Sequence, residues 1–169
     1  MTQAPIQYQG LEVVEQRTQL IAPHKDGKLI FLHPSYGPNT YANVRLAIGQ
    51  DNLKRPSMEE TASLVHAAAF NTVNKYSTEI KDIMGQAWLW GFTGTLYVPK
   101  EGAFIQYDPE IRDGMPFMDR GSLEQKLNAK DPNVRHVPFG YKVREMSPLE
   151  LAKNPYVIGL AGKRKELNN

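Results

Sequence analysis

The chain has 169 residues, 41% hydrophobic and 22% charged, a length and balance that suit one folded domain and exclude a disordered or fibrous chain. It holds no cysteine, which excludes disulfides, thiolate catalysis and cysteine-ligated metal centres. The net charge of +2 is carried by the tail Lys163-Arg164-Lys165-Glu166, so the remaining body is neutral and lacks the charge of a broad phosphate-binding face.

In chain order, Leu11–Glu15 reads as a possible first strand. Arg17–Ala22 and Lys28–His33 read as a hairpin turning at Asp26-Gly27. Leu29-Ile30-Phe31-Leu32 is apolar on both parities, the pattern of a central strand buried on two faces. His33–Asn39 is a loop stiffened by Pro34 and Pro38. Tyr41–Ile48 fits a helix capped by Asn39, with strand alternation as the alternative reading.

Ser57 with Glu60 three residues on is a capping box, opening a helix to about Asn71 that buries Leu64, Val65, Ala68 and Ala69. After a short break at 72–76, a second helix over Ser77–Gln86 turns Ile80, Ile83 and Met84 to the core and feeds into Trp88.

Trp88–Tyr107 is expected to be a long aromatic β-hairpin. Trp88, Trp90, Phe92, Gly94, Leu96 and Val98 share one parity and hence one face, which should meet the core. Pro99–Gly102 supplies a four-residue turn, pairing Val98 with Ala103, Leu96 with Ile105 and Gly94 with Tyr107. That register leaves Tyr97, Phe104 and Gln106 on an outer face, either as a partner-binding surface or as a cross-strand pair supporting the sheet.

Asp108–Gly121 reads as irregular, with Asp108 paired to Arg112. Ser122 and Gln125 suggest the cap of a helix to about Ala129. Val134–Phe139 should be a strand. Ser147-Pro148-Leu149-Glu150 is another capping box with proline at the favoured first position, and Pro155–Ala161 a last short helix closed by Gly162.

The expected fold is therefore α+β. A mainly antiparallel sheet, including the hairpin at about 88–107, is covered by several short helices in one domain over 1–162, followed by a basic polar tail over 163–169.

The functional signals are few. His24, His33, His66 and His136 have no metal-pair spacing, so no metal or cofactor is expected. Neither glycine-rich phosphate fingerprint occurs. If a helix starts near Thr40, its first N–H groups point into the preceding loop. His33, Ser35, Tyr36, Asn39 and Arg45 are then candidates to hold a small anionic ligand, an ordinary stiffened turn being the plainer account.

The longest apolar runs, near 64–70 and 155–162, fall far short of the roughly 18 residues of a membrane span, and the first residues lack signal-peptide features. The expectation is a cytoplasmic, non-enzymatic binding or regulatory protein that meets a protein partner or a second copy of itself. A phosphate-bearing ligand or nucleotide is the alternative, and nucleic acid a weaker one.

Overall fold

The computed structural model describes residues 17–70, 74–87, 89, 91–140 and 144–162. The strand expected at Leu11–Glu15, Trp88 and Trp90 with the inward placement expected of them, and the basic tail over 163–169 lie outside them. Strands β1 (Thr18–His24) and β2 (Gly27–His33) are followed by helices α1 (Tyr41–Gln50), α2 (Met58–Phe70) and α3 (Lys75–Gln86). Next come β3 (Thr93–Val98), β4 (Gly102–Tyr107), β5 (Glu110–Arg112), β6 (Met115–Phe117), α4 (Arg120–Asn128), β7 (Val134–Pro138), α5 (Pro148–Ala152) and α6 (Pro155–Ala161).

The α+β class is as expected, but among the described residues the strands form three sheets rather than one. They are the β1–β2 hairpin, the antiparallel sheet β3-β4-β7 and the small β5–β6 hairpin. The run 29–32 is accordingly not a central strand. Among the described residues β2 has one partner strand, and Ile21 and Ile30, paired across the hairpin, are each 61% exposed. The stretch 108–121 is not irregular throughout. Asp113 and Gly114 both take positive φ, as a two-residue turn between β5 and β6 requires.

The three-stranded sheet corrects the expected register by one residue. Val98 pairs with Gly102, Leu96 with Phe104 and Thr93 with Tyr107. The turn is Pro99–Glu101, with Lys100 at φ 66°. Gly102 opens β4 at φ 134°, and a Cβ there would collide with the Val137 carbonyl of β7. Only a residue without a side chain lets β7 approach this closely, so the third strand helps fix where pairing starts.

The slip turns alternate side chains over. Phe104 now shares a face with Leu96 and Val98, and packs with Leu123, Leu127 and Val134 beneath α4. The other face meets α6, where Gly159 brings its backbone against Ile105 and Val137. β4 is thus covered on both faces, and all but its last residue are buried.

Local caps explain most helix starts. Ser57 and Glu60 form the expected reciprocal box: Ser57 N donates to Glu60 Oε2 (2.8 Å) and Glu60 N to Ser57 Oγ (3.2 Å). The box at Ser147 and Glu150, with Pro148 at the first position, also forms. α1 is a helix capped by Thr40 rather than Asn39. α4 starts earlier than expected because Asp119 accepts from Ser122 N (2.8 Å), so Ser122 lies inside the first turn. In α2, Ala68 is buried as expected, whereas Ala69 is exposed and Thr61 is buried in its place. No helix of the described residues is long and apolar enough to cross a membrane.

Gly102→Ala should lower unfolding stability by at least ~3 kcal/mol, because the added methyl meets backbone in a disfavoured conformation. Gly114→Ala, at φ 76° but with open space around its Cβ, should cost only about 1 kcal/mol. Denaturant unfolding of both variants checks this; equal losses would remove the role assigned to Gly102.

Candidate functional site

The β1–β2 hairpin lies over α2, and α1 and α3 flank it. Between these elements is a cavity of about 930 Å³. Leu20, Leu29 and Phe31 line it from the hairpin, Val44 and Ile48 from α1, and Leu64 from α2. Ile80 and Ile83 of α3 complete the apolar wall with Phe92. This volume falls in the roughly 300–1,000 Å³ range of small-molecule sites, whose walls are mostly apolar with a few placed polar groups.

α2 delivers the central polar groups. Its inward stripe is Thr61, Leu64, Val65 and Ala68, the i, i+3, i+4, i+7 spacing of one helix face. Glu60 beside it is mostly buried and bonded to Lys54 Nζ at 2.5 Å as well as to its own cap. Burial opposes ionisation of Glu60, but the Lys54 and Ser57 hydrogen bonds outweigh it and hold the carboxyl below its ordinary range. Thr61 is 5% exposed, and its Oγ1 has no hydrogen-bond partner.

The loop candidates largely come together. His33, Ser35, Tyr36 and Asn39 all border the cavity. His33 Nε2 contacts Glu79 Oε2 at 2.8 Å, and its ring stands edge-on to Tyr76. Tyr36 donates its hydroxyl proton to Asp51, and the Arg17 guanidinium lies 3.9 Å over its ring. Burial, then the Asp51 hydrogen bond, push the Tyr36 hydroxyl above its usual range.

At the start of α1, Asn39 Oδ1 accepts from Thr40 N (2.8 Å) and from Asn43 Nδ2 (2.9 Å), while Asn43 N donates to Thr40 Oγ1 (3.3 Å). Part of the expected anion cradle is therefore satisfied by the Asn39 and Thr40 side chains that precede the helix.

Arg45 stands apart from the cavity. Its Nε donates to Asp108 Oδ1 (3.0 Å), and Arg55 grips the same carboxylate through Nε (3.0 Å) and Nη2 (2.7 Å). Asp108 thus pairs with Arg45 and Arg55, not with Arg112, which pairs instead with Glu110 at 3.2 Å. Two-point Arg–carboxylate contact is the stronger geometry for such a pair. Burial works against the charge of Asp108, yet the hydrogen bonds and charges of the two arginines prevail and keep its carboxyl below the usual range.

The expected outer hairpin surface is not exposed as a unit. Tyr97 is 52% exposed, but Phe104 and Gln106 are buried at 4% and 8%. Among the described residues no group of three His, Asp or Glu side chains gathers as a metal site. Thr61 lines the cavity and is not among the ligand candidates drawn from the sequence. It heads an apolar helical stripe, and that periodicity was the available signal.

The depressed carboxyl of Asp108 stabilises the fold above the ordinary aspartate pKa, and this contribution disappears as pH falls through the lower folded-state value. Melting temperatures should therefore drop steeply below about pH 4, and Asp108→Asn should be less stable at pH 7 but show a flatter acid limb. An unchanged limb would mean that other carboxylates dominate.

Comparison with protein-family models, with curated proteins and with solved structures finds no match for this chain.

Proposed function

We propose that this protein is a non-enzymatic binding module that encloses an apolar part of another molecule between its β1–β2 hairpin and α1–α3. The cavity of about 930 Å³ carries this reading. Its wall is supplied by β1, β2, α1, α2, α3 and Phe92, and the polar groups Glu60 and His33 are already committed to partners within the chain, Lys54 and Glu79. A wall of this kind suits burial of apolar surface, worth about 25 cal/mol per Å² removed from water.

A second reading, contact with a protein partner or a second copy, is supported by Ile21 and Ile30. They face each other across the hairpin, and each is 61% exposed. Adjacent exposed aliphatic side chains are the kind of patch that partners cover. The phosphate reading draws no support from Arg45, whose guanidinium is engaged by Asp108.

A neutral fluorescent probe, N-phenyl-1-naphthylamine, should bind the intact protein saturably. Ile83→Trp, which puts an indole into the cavity from half-buried Ile83, should weaken that binding at least about tenfold, a loss of roughly 1.4 kcal/mol. Unaltered probe affinity in a folded Ile83→Trp protein would sink the cavity reading. For the second reading, Ile21→Lys should lower the native mass seen at micromolar concentration; a monomer before and after the change would count against self-association.

A further inference from the structure

We propose that the cavity takes a neutral, largely apolar small molecule carrying a single hydroxyl or carbonyl group, which docks on the Thr61 hydroxyl. This rests on the binding role proposed above and adds the chemistry of the ligand.

Thr61 is the decisive observation. Thr61 is among the residues that line the cavity, it is 5% exposed, and Oγ1, itself exposing less than 1 Å², has no hydrogen-bond partner; rotation about χ1 exchanges Oγ1 with Cγ2 and presents the hydroxyl to a ligand. A helical hydroxyl commonly satisfies itself on the carbonyl one turn back. Ser63, two residues on, does so, reaching the Glu59 carbonyl at 3.2 Å. Thr61 does not, although the Ser57 carbonyl one turn back, which accepts its backbone N–H (2.9 Å), has a second lone pair. A buried hydroxyl left in this state is unfavourable, and an oxygen brought by a ligand would supply the missing bond.

The charge around the cavity restricts that ligand. Glu60 is paired with Lys54, His33 with Glu79, and Tyr36 with Asp51. A carboxylate or ammonium head group would enter without an opposite charge and lose its hydration. A polypeptide occupant would bring an N–H and a C=O with nearly every residue, each needing a partner. Among the described lining residues, the one buried side-chain polar atom without a partner is Thr61 Oγ1. One polar group on an apolar body matches that supply.

The test is displacement of N-phenyl-1-naphthylamine from the intact protein by octane, 1-octanol and octanoate, in the unaltered protein, in Thr61→Val and in Thr61→Ser. Thr61→Val should weaken 1-octanol about fivefold, the scale of one net hydrogen bond, and leave octane within about twofold. Thr61→Ser should retain 1-octanol binding. Equal effects of Thr61→Val on octane and 1-octanol would overturn the docking role of the hydroxyl, and tighter binding of octanoate than of 1-octanol would overturn the neutral head group. If the probe binds in a manner lost in Ile83→Trp but none of the three compounds displaces it, the ligand class is wrong while the binding role stands. If the probe does not bind at all, both fall together.

Discussion

The arrangement of the cavity depends on one carboxylate. Asp108 sits just past the end of β4 at φ 47°, and its N–H donates to the Phe92 carbonyl (2.7 Å). Its side chain holds Arg45 of α1 and Arg55 of the connector before α2. A strand end is thereby tied to α1 and its following connector, which lie 63 and 53 residues earlier in the chain. Tyr107 adds a fourth tie, donating from its hydroxyl to the Arg55 carbonyl at 2.6 Å. The small core of Val44, Ile48 and Phe92, with Tyr41 against the Phe92 ring at 5.0 Å, is assembled around this junction. α1 is thus fixed as a cavity wall by the Arg45 ion pair at its middle and by the packing of Val44 and Ile48. Removing one member of such a part-buried cluster leaves the others uncompensated, so the junction is cooperative.

The sequence made local features readable and left distant ones hidden. The boxes at Ser57/Glu60 and Ser147/Glu150 each lie within one turn, and each forms as expected. Asp119 and Ser122 show the limit of that logic. Both are good caps three residues apart, and the earlier one prevails because its carboxylate reaches the Ser122 N–H. The hairpin at β3–β4 was legible from alternation and from Pro99, but its register was not. Register is decided where β7 crosses Gly102, and that residue's need for close approach comes from a strand more than 30 residues further on.

The same distance effect governs the candidate residues. Phe104 reads as outward-facing under one register and is core under the next, so a one-residue error removed both it and Gln106 from the expected surface. Arg45 was read as free to meet a ligand because its acidic partner, Asp108, lies 63 residues away. By contrast, His33, Ser35, Tyr36 and Asn39 are close in sequence, and they do gather along one cavity. Proximity along the chain made that cluster visible before its surroundings were known.

Asp108 and Thr61 represent opposite solutions to burying a polar group. Asp108 accepts three hydrogen bonds from two guanidinium groups, and its burial therefore strengthens the structure around it. Thr61 is buried further and receives nothing. Packing alone gives no reason for an oxygen at the head of the stripe formed with Leu64, Val65 and Ala68, since valine would fill nearly the same space without an unpaired hydroxyl. Positions where local chemistry contradicts folding preference tend to be positions of function. In this protein that contradiction falls among the residues that line the cavity, where the proposed ligand would complete the bond that Thr61 leaves open.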